Sequence, residues 1–168
     1  MKRRENGMDY DYREAMKLSN QLCFPLYAAA RDVTGLYTPW LKPLGLTYTQ
    51  YIVFLVLWEK DGIPVGEIGE KLMLDNGTLS PLLKKMEQAG YIERQRSRED
   101  ERIVVISLTE AGRQLQEKAK EIPEKVSACI DLPPEKAGQL YALLYELLNN
   151  QGYEKPNTRK EYKHEDSL

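Results

Sequence analysis

The sequence is poor in the residues on which most catalytic and metal sites depend. Its 168 residues contain one histidine, His164, and two cysteines, Cys23 and Cys129, that lie far apart. One histidine near the C-terminus argues against a Ser-His-Asp triad and against a site with several histidine ligands. Without a CxxC pair, a zinc ribbon and a thioredoxin-like motif are excluded, and two cysteines are too few for a secreted disulfide framework. We therefore expect no metal and no cofactor.

Long apolar runs are also missing. The longest, residues 51–58, is far shorter than the roughly 20 residues that cross a bilayer, and the basic N-terminus has no apolar segment behind it, as a signal peptide would. We therefore expect a cytoplasmic protein without a membrane partner. The net charge is −2 and the pI about 5.6, so a nucleic-acid-binding surface has to be a local patch.

Helical periodicity covers most of the chain. Ser19 and Asn20 are candidate N-caps for a first helix, and Thr47 with Gln50 fits a capping box before a helix that is apolar nearly all round. Thr109 is placed to cap a long helix, which Pro123 should kink. We expect a flexible lead over residues 1–16, a single domain over 17–151, and a mobile charged tail over 152–168.

The middle of the chain has the pattern of a winged helix-turn-helix. A short helix at about 65–73 leads through a polar turn, 74–77, to a second helix that begins near Thr78 and is closed by Gly90. The stretches YIERQR and RIVVISL then read as two strands joined by a charged tip, SREDE. The predicted fold is mostly α with a small β-hairpin wing. The winged helix-turn-helix spans about 47–108, between dimerisation helices at about 18–45 and 109–151.

Both parts of this motif carry candidate DNA-binding residues. The second helix of such a motif presents its N-terminal residues to base edges, and arginines on a hairpin suit the minor groove. The alternative is a solvated hairpin, because the acidic residues of the tip nearly cancel the arginines. The candidates are Asn76, Thr78, Ser80, Pro81, Lys84 and Lys85 on the helix, and Arg94, Arg96, Arg98, Asp100 and Arg102 on the hairpin.

Cys23 is the candidate reactive residue. If Ser19 or Asn20 caps the first helix, Cys23 lies in its first turn, where the helix dipole and free amides stabilise a thiolate, the nucleophile toward peroxides. Tyrosine hydroxyls can donate to such a sulfur, and the chain has 11 tyrosines against two phenylalanines. The alternative is a small buried hydrophobe. An apolar wall that favours organic peroxides could come from Phe24, Leu26, Trp40 and Phe54.

Two stretches of the chain resemble a known family. LDNGTLSPLLKKMEQAGYIERQRSREDERIVVISLTEAG resembles the recognition helix and wing of the MarR-type winged-helix regulators. LSNQLCFPLYAAARDVTGLYTPWLKPLGLTYTQY is similar to their organic-hydroperoxide-sensing branch. The resemblance implies a homodimeric repressor, not an enzyme. It binds double-stranded operator DNA and leaves it when its cysteine is oxidised by organic hydroperoxides.

The resemblance also assigns roles to single residues. By position, Cys23 matches the sensing cysteine, and Tyr37 and Tyr48 match the tyrosines that hydrogen-bond to it in reduced members. We add Tyr27 and Phe24 to this predicted sensor pocket.

Three further positions complete the match or depart from it. Arg102, held by Asp100, matches the wing arginine, whereas Pro25 departs from the pattern two residues after the cysteine. Some members have a second cysteine that resolves the sulfenic acid by a disulfide to the other subunit. Cys129 lies in about that place, and the alternative is that it fills an apolar dimer stripe.

Other functions stay open on the sequence alone. The nearest alternative is a MarR-type repressor that is released by a small aromatic ligand rather than by oxidation. A thiol peroxidase and a structural dimerisation module are two more, but no catalytic basic residue lies near Cys23 in the sequence, and the wing arginines argue against a purely structural role.

Overall fold

A computed structural model describes residues 11–150, and the predicted C-terminal tail and most of the predicted N-terminal lead lie outside them. The described part is mostly helical with a small three-stranded sheet, as the sequence predicts. Two 3₁₀ turns are present: Leu18–Asn20 precedes the helix Cys23–Gly35, and Lys42–Leu44 follows the short helix Thr38–Leu41. In chain order the elements are α1 (Tyr12–Ala15), α2 (Cys23–Gly35), α3 (Thr38–Leu41), α4 (Tyr48–Glu59), β1 (Ile63–Pro64), α5 (Val65–Leu72), α6 (Asn76–Gln88), β2 (Ile92–Arg96), β3 (Val104–Leu108), α7 (Glu110–Ala119), α8 (Ile122–Ser127) and α9 (Pro134–Asn149).

Helix α4 forms the centre of the core. Its predicted capping box is present: the Thr47 hydroxyl accepts from the Gln50 amide at 3.3 Å, and the Gln50 side chain accepts from the Thr47 amide at 2.9 Å. Because nearly every face of the helix is apolar, it is surrounded by other elements. The side chains of Tyr51, Val53, Phe54, Val56 and Leu57 are buried.

Helices α5 and α6 form the predicted helix-turn-helix. The Asp75 carboxylate accepts from the Thr78 amide at 2.9 Å, so α6 begins at Asn76, earlier than the predicted start near Thr78. Leu79, Leu83 and Met86 are fully buried, and α6 therefore presents its other face outward. Gly90 ends the helix with φ +77°, a conformation that favours glycine.

The sheet has the strand order β1-β3-β2 and is antiparallel throughout. Strands β2 and β3 form the predicted wing, with Arg94 opposite Ile106. Strand β1, which pairs Ile63 with Ile106, was not predicted. It has two residues, too few to show the alternation of apolar and polar residues by which a strand is recognised.

Asp61 and Gly112 fix the base of the wing. The Asp61 carboxylate accepts from the Leu108 amide at 2.8 Å and pairs with Arg113 of α7 at 2.5 Å. A Cβ on Gly112 would lie 2.2 Å from the Tyr91 carbonyl oxygen, so α7 approaches the wing as closely as only glycine allows. The wing and α7 are therefore held together at one point.

The helices before α4 and after the wing, which we call the outer helices, differ from the sequence-based prediction at three places. Ser19 and Asn20 do not cap α2, because Gln21 is extended and the helix begins only at Cys23. The predicted lead contains one helical turn, α1, because the Asp11 carboxylate accepts from the Arg13 and Glu14 amides. The helix after Thr109 is interrupted between α7 and α8, where Lys120 and Glu121 keep helical backbone angles, because Pro123 has no N–H to continue the hydrogen-bond ladder.

Candidate functional site

The predicted DNA-binding residues of α6 lie on its outer face. All six of them, from Asn76 to Lys85, are exposed, and neither Lys84 nor Lys85 takes part in an ion pair within the described part of the chain. Hydrogen bonds from the Thr78 backbone amide and side chain hold the pKa of the Asp75 carboxyl below its usual range. This carboxylate is engaged at the cap, and the six exposed candidate residues of α6 are all neutral or basic.

A groove separates the start of α6 from the wing. It encloses ≈ 540 Å³ and its lining includes Asn76, Ser80, Arg94 and Arg102. Two positively charged side chains therefore face the same concave surface as the polar residues at the start of the recognition helix. That arrangement suits a polyanion whose backbone and base edges are contacted together.

The wing arginines have different surroundings. Arg94 is half-buried and lies 3.9 Å from the Glu87 carboxylate, and Arg96 donates to the Glu101 carbonyl at 3.3 Å. The resemblance implies that Asp100 holds the Arg102 side chain. In the structure, the Asp100 carboxylate accepts from the backbone amide of Arg102 at 2.9 Å, and this hydrogen bond shapes the tip. Arg98 and Arg102 are exposed at the tip.

The two tyrosines of the predicted sensor pocket lie side by side. The rings of Tyr37 and Tyr48 are 5.0 Å apart, and the Tyr37 ring is 5.7 Å from that of Tyr51. Both line a cavity of ≈ 420 Å³ together with Thr34, Leu41 and other residues of the α3 region. The rings are brought together because α3 and the following 3₁₀ turn fold the chain back onto α4.

Burial raises the pKa of Tyr48 and of Tyr51. Desolvation, and secondarily the neighbouring Tyr37, raises the pKa of Tyr48 above its usual value. The same causes, with Tyr48 added, raise the pKa of Tyr51 to about 12. At neutral pH both groups are therefore hydroxyl donors, as a partner for a sulfur anion has to be.

Cys23 lies at the first position of α2 and is exposed. Its place in the first turn agrees with the sequence-based prediction, although the predicted caps do not create it. Fewer amides are free at the start of α2 than predicted, because Pro25 has no N–H and the Phe24 amide donates to the Gln21 carbonyl at 3.3 Å. Pro25 itself is accommodated in the first turn without disrupting the helix.

The structure does not bring Cys23 to Tyr37 and Tyr48 of the same chain. Helix α2 runs from Cys23 to Gly35, about 18 Å at 1.5 Å per residue. Leu36 and Tyr37 continue in the helical conformation, so the chain keeps moving away from Cys23. A hydrogen bond of about 3 Å between Cys23 and Tyr37 within one chain is excluded by this geometry.

The other residues of the predicted pocket and apolar wall do not lie together either. Phe24 and Tyr27 are exposed on α2 beside Cys23, and Arg31 stacks on the Tyr27 ring at 5.8 Å. Phe54 does not belong to the predicted apolar wall, because it is fully buried in the core against Trp58 and Tyr91. Leu26 and Trp40 are partly exposed on the outer helices.

Cys129 follows α8 and is exposed. Its thiol donates to the Lys125 carbonyl at 3.3 Å. Residues Leu115, Ala119, Ile122 and Val126 of the apolar stripe are buried, whereas Cys129 is exposed. The thiol is therefore accessible in the single chain.

An open apolar groove runs between the start of α2 and the face of α9. It encloses ≈ 540 Å³. Leu22 is 77% exposed and Leu143 63% exposed, values that are unusual for leucines. The lining consists of Leu22, Pro25, Leu26, Leu140, Leu143, Leu144, Glu146, Leu147 and Asn150. Cys23 does not line the groove, although its neighbours in the chain, Leu22 and Pro25, do.

Sequence reasoning missed the residues that support the tyrosine pair. Tyr51 belongs to the TYTQY stretch but received no role of its own, and Trp58 was treated only as part of an apolar helix. Tyr51 packs against Tyr37 and Trp58, and the Trp58 indole donates to the Gly112 carbonyl at 3.1 Å. The only sequence signal was their spacing of seven residues on α4.

Residues 11–150 show neither a membrane-spanning helix nor a metal cluster. No helix in that range is both long enough and apolar enough to cross a membrane. The same residues contain no group of three His, Cys, Asp or Glu side chains that could hold a metal ion.

Comparison with known proteins gives the same class as the geometry. The family model for the transcriptional regulators SarA/Rot matches residues 35–119. The organic hydroperoxide resistance transcriptional regulator of Bacillus subtilis is 50% identical over 144 residues, which cover 86% of this chain and 95% of that protein.

Solved structures of AbfR of Staphylococcus epidermidis are also similar. The overoxidised form bound to DNA is 37% identical with a TM-score of 0.68, covering 83% of this chain and 98% of that one. The disulfide form is 39% identical with a TM-score of 0.57, covering 82% and 96%.

The fold and the exposed recognition helix define a winged-helix DNA-binding transcriptional regulator. The chain belongs to the SarA/Rot- and MarR-type regulators, in the branch that contains the organic hydroperoxide resistance regulators, as its motifs predict.

Proposed function

We propose that the protein is a homodimeric repressor that leaves its operator when Cys23 is oxidised by an organic hydroperoxide. The observation that carries the proposal is the position of Cys23, exposed in the first turn of a helix that buries none of its described side chains. A thiol in such a place is open to a bulky peroxide in the single chain. It also lies where a small chemical change acts on a surface that two subunits would share.

The sensor pocket is completed across the two subunits. The length of α2, about 18 Å, supports a pocket in which Tyr37 and Tyr48 are supplied by the other chain. Cys23 of one subunit meets Tyr37 and Tyr48 of the partner subunit, with Phe24 and Tyr27 beside it. The leucines of α2 and α9 cover each other in the same interface, which removes the exposed groove.

The chemistry needs only the peroxide and the two thiols. The Cys23 thiolate attacks the outer oxygen of the hydroperoxide and breaks the O–O bond, giving a sulfenic acid and an alkoxide that takes up a proton to become an alcohol. The Cys129 thiol of the partner subunit then attacks the sulfenic sulfur, and one water leaves as the disulfide forms. The exposed position of Cys129 supports this second step.

The disulfide is the form that we expect to leave DNA. AbfR has been solved on DNA in an overoxidised form, and separately in a disulfide form. Overoxidation is therefore compatible with DNA binding in that relative. A covalent link from α2 to the segment after α8 instead forces the outer helices to move, and with them the spacing of the two wings.

DNA is bound by α6 in the major groove and by the wing in the minor groove. We assign base-edge and phosphate contacts on α6 to Asn76, Thr78, Ser80, Pro81, Lys84 and Lys85. On the wing we assign Arg94, Arg96, Arg98 and Arg102, with Asp100 shaping the tip. Two half-sites one helical turn apart require both subunits to keep their spacing, so a shift of a few ångströms moves one wing off its half-site.

A DNA-shift assay on the promoter region of the gene itself tests the redox step. Cumene hydroperoxide should release wild type, whereas Cys23→Ser should bind equally well and stay bound. Cys129→Ser is the matched control at the other thiol: its Cys23 should still be oxidised, but no covalent dimer should appear on a non-reducing gel. Release of Cys23→Ser as readily as wild type would contradict the assignment of Cys23.

A salt titration tests the residues assigned to DNA binding. Arg102→Ala and Lys84→Ala should weaken operator binding and flatten its dependence on salt, by about 0.9 in the log–log slope for each phosphate that the variant no longer neutralises. Lys118→Ala, an exposed lysine of α7 on another surface, is the control and should leave the slope unchanged. If Arg102→Ala keeps full affinity, the wing is only a solvated hairpin.

The second candidate is release by a small aromatic compound. The cavity of ≈ 420 Å³ beside Tyr37 and Tyr48 is of a size that suits such a ligand and supports this alternative. The same shift assay separates the two, because a phenolic compound such as salicylate would release Cys23→Ser and wild type alike. Peroxide would then have no effect on either protein.

A further inference from the structure

A line of aromatic contacts runs from the sensor tyrosines into the winged domain. From the Tyr37–Tyr48 pair it continues to Tyr51, whose ring is 6.3 Å from that of Trp58 in an edge-on contact. Trp58 stacks on Phe54 at 5.3 Å. Phe54 meets Tyr91 edge-on at 5.7 Å, at the joint where α6 turns into the wing. We call this set the aromatic line.

Trp58 also ties the aromatic line to α7 by a directional contact. Its indole N–H donates to the Gly112 carbonyl at 3.1 Å, although the two residues are far apart in the sequence. Gly112 in turn lies against the Tyr91 carbonyl, whose oxygen accepts from the Thr109 amide at 3.0 Å. One indole therefore touches both the support of the sensor tyrosines and the point where the recognition helix, wing and α7 meet.

We infer that Trp58 is a positioning residue that couples the sensor tyrosines to the joint of the recognition helix and wing. The inference rests on the proposed function and names its internal route. Tyr51 and Phe54 are fully buried and the other four rings of the aromatic line are half-buried. Rings in such close contact do not absorb a displacement at one end, because interiors are packed like organic solids. When Tyr37 and Tyr48 lose their partner at Cys23, Tyr51 and Trp58 move, and the hydrogen bond to Gly112 breaks.

The coupling has to work in both directions. If displacement of the tyrosines changes the affinity for DNA, DNA has to change the surroundings of Trp58 as well. This second direction needs no oxidation. It therefore gives a readout that is independent of whether peroxide is the signal.

The first measurement follows the indole N–H of Trp58 by NMR in the full-length protein. The chain has two tryptophans, so comparison with Trp58→Phe assigns the resonance. Operator DNA should move it in the reduced protein, and cumene hydroperoxide should move it in the free protein. A resonance that stays in place when operator binds overturns the inference. So does one that stays in place when thiol titration shows Cys23 to be oxidised.

The second measurement uses Trp58→Phe, which keeps an aromatic ring but removes the donor to Gly112. The rate of Cys23 oxidation should stay within about twofold, whereas the operator affinity of the reduced variant should already lie closer to that of oxidised wild type. The further loss of affinity that peroxide causes should therefore fall at least about fivefold. Glu59→Gln, at the neighbouring exposed position, is the control and should behave as wild type. Full release of Trp58→Phe overturns the inference and leaves the redox function intact. Failure of peroxide to oxidise wild type overturns the redox function. In that case the shift of the Trp58 resonance on operator binding alone decides whether Trp58 is coupled to the DNA-binding surface.

Discussion

The winged domain and the outer helices of the same chain are built in different ways. The winged domain buries α4, α6 and the sheet around one continuous core, with Phe54, Leu79, Leu83 and Ile106 fully buried. Along the described residues, helices α1, α2 and α9 bury none of their side chains. One region therefore holds together by its own packing, whereas the other presents apolar faces that need a second surface.

This difference separates two tasks. The surface proposed to contact DNA lies on the region with its own core, whereas Cys23 lies on the region that lacks one. A dimer interface that covers the outer helices would bury on the order of 2,000 Å² or more. The proposed sensor at Cys23 would therefore lie on helices that bury no side chain of their own, where we expect oxidation to change the packing between the subunits.

The largest effect should come from a charge on the apolar face of α9. Leu143→Asp places a carboxylate in the proposed interface once in each subunit. Burying a leucine contributes about 1.5–3 kcal/mol, so removing one from each subunit raises the dimer dissociation constant by a factor of about 10² to 10⁴. Light scattering or analytical ultracentrifugation at low micromolar concentration should show a monomer.

The control for this change is Ile103→Asp, an exposed apolar residue near the wing tip. It should leave the protein a dimer. If Leu143→Asp is as dimeric as the control, α9 does not lie in the interface, and the difference between the two regions has another cause.

The next effect concerns the core of the winged domain. Leu83→Ala removes a fully buried side chain from α6 and should lower the free energy of unfolding by about 2–5 kcal/mol. Leu132→Ala, at an exposed leucine between α8 and α9, should cost no more than about 0.5 kcal/mol. Urea unfolding followed by circular dichroism measures both, and equal losses would contradict the description of Leu83 as part of the packed core.

A smaller effect is expected at the base of the wing. Asp61→Ala leaves the Leu108 amide without its acceptor and removes the ion pair with Arg113, and should cost about 1–3 kcal/mol. The similarly exposed pair of Lys60 with Glu67, whose carboxylate accepts from no backbone amide in the described residues, is the comparison, and Glu67→Ala should cost no more than about 1 kcal/mol. Thermal unfolding of the two variants measures both losses of stability. If the two losses are equal, Asp61 has no special role at the base of the wing.

The smallest effect is a dependence of stability on alkaline pH. The folded state raises the pKa of Tyr51 to about 12, whereas the unfolded chain loses this proton near pH 10. The stabilising contribution is therefore complete below pH 10 and is lost as the pH rises from 10 to 12. Urea unfolding at pH 9 and pH 11 should show a smaller pH-dependent loss for Tyr51→Phe than for wild type. Equal losses would mean that Tyr51 is not buried as described.

The winged domain was the part most accessible to prediction from sequence. The capping box of Thr47 and Gln50, the glycine at position 90 and the two strands of the wing are local signals, and each is present in the structure. The strand Ile63–Pro64 was missed because its partner, β3, is more than 40 residues away and nothing local marks it. The start of α2 was misjudged because the extended Gln21 overrides two good capping residues.

The candidate site could be predicted only in pieces. The position of Cys23 in a first turn and the proximity of Tyr37 to Tyr48 agree with the family motif. The separation of Cys23 from these tyrosines follows from the length of α2, and a motif does not show which chain supplies each residue. Tyr51 and Trp58 were missed because a helix that is apolar on all sides does not reveal which of its residues face the site.

A mixed dimer tests most directly whether the sensor pocket is shared between subunits. One subunit carries Cys23→Ser and the other carries Tyr37→Phe with Tyr48→Phe, and the mixed dimer is separated from the parent dimers by different affinity tags. If the pocket is shared, this dimer keeps one complete site, and its single Cys23 should react with cumene hydroperoxide at the wild-type rate. If that Cys23 reacts as slowly as in the dimer of two tyrosine variants, each pocket lies within one chain and the account is wrong.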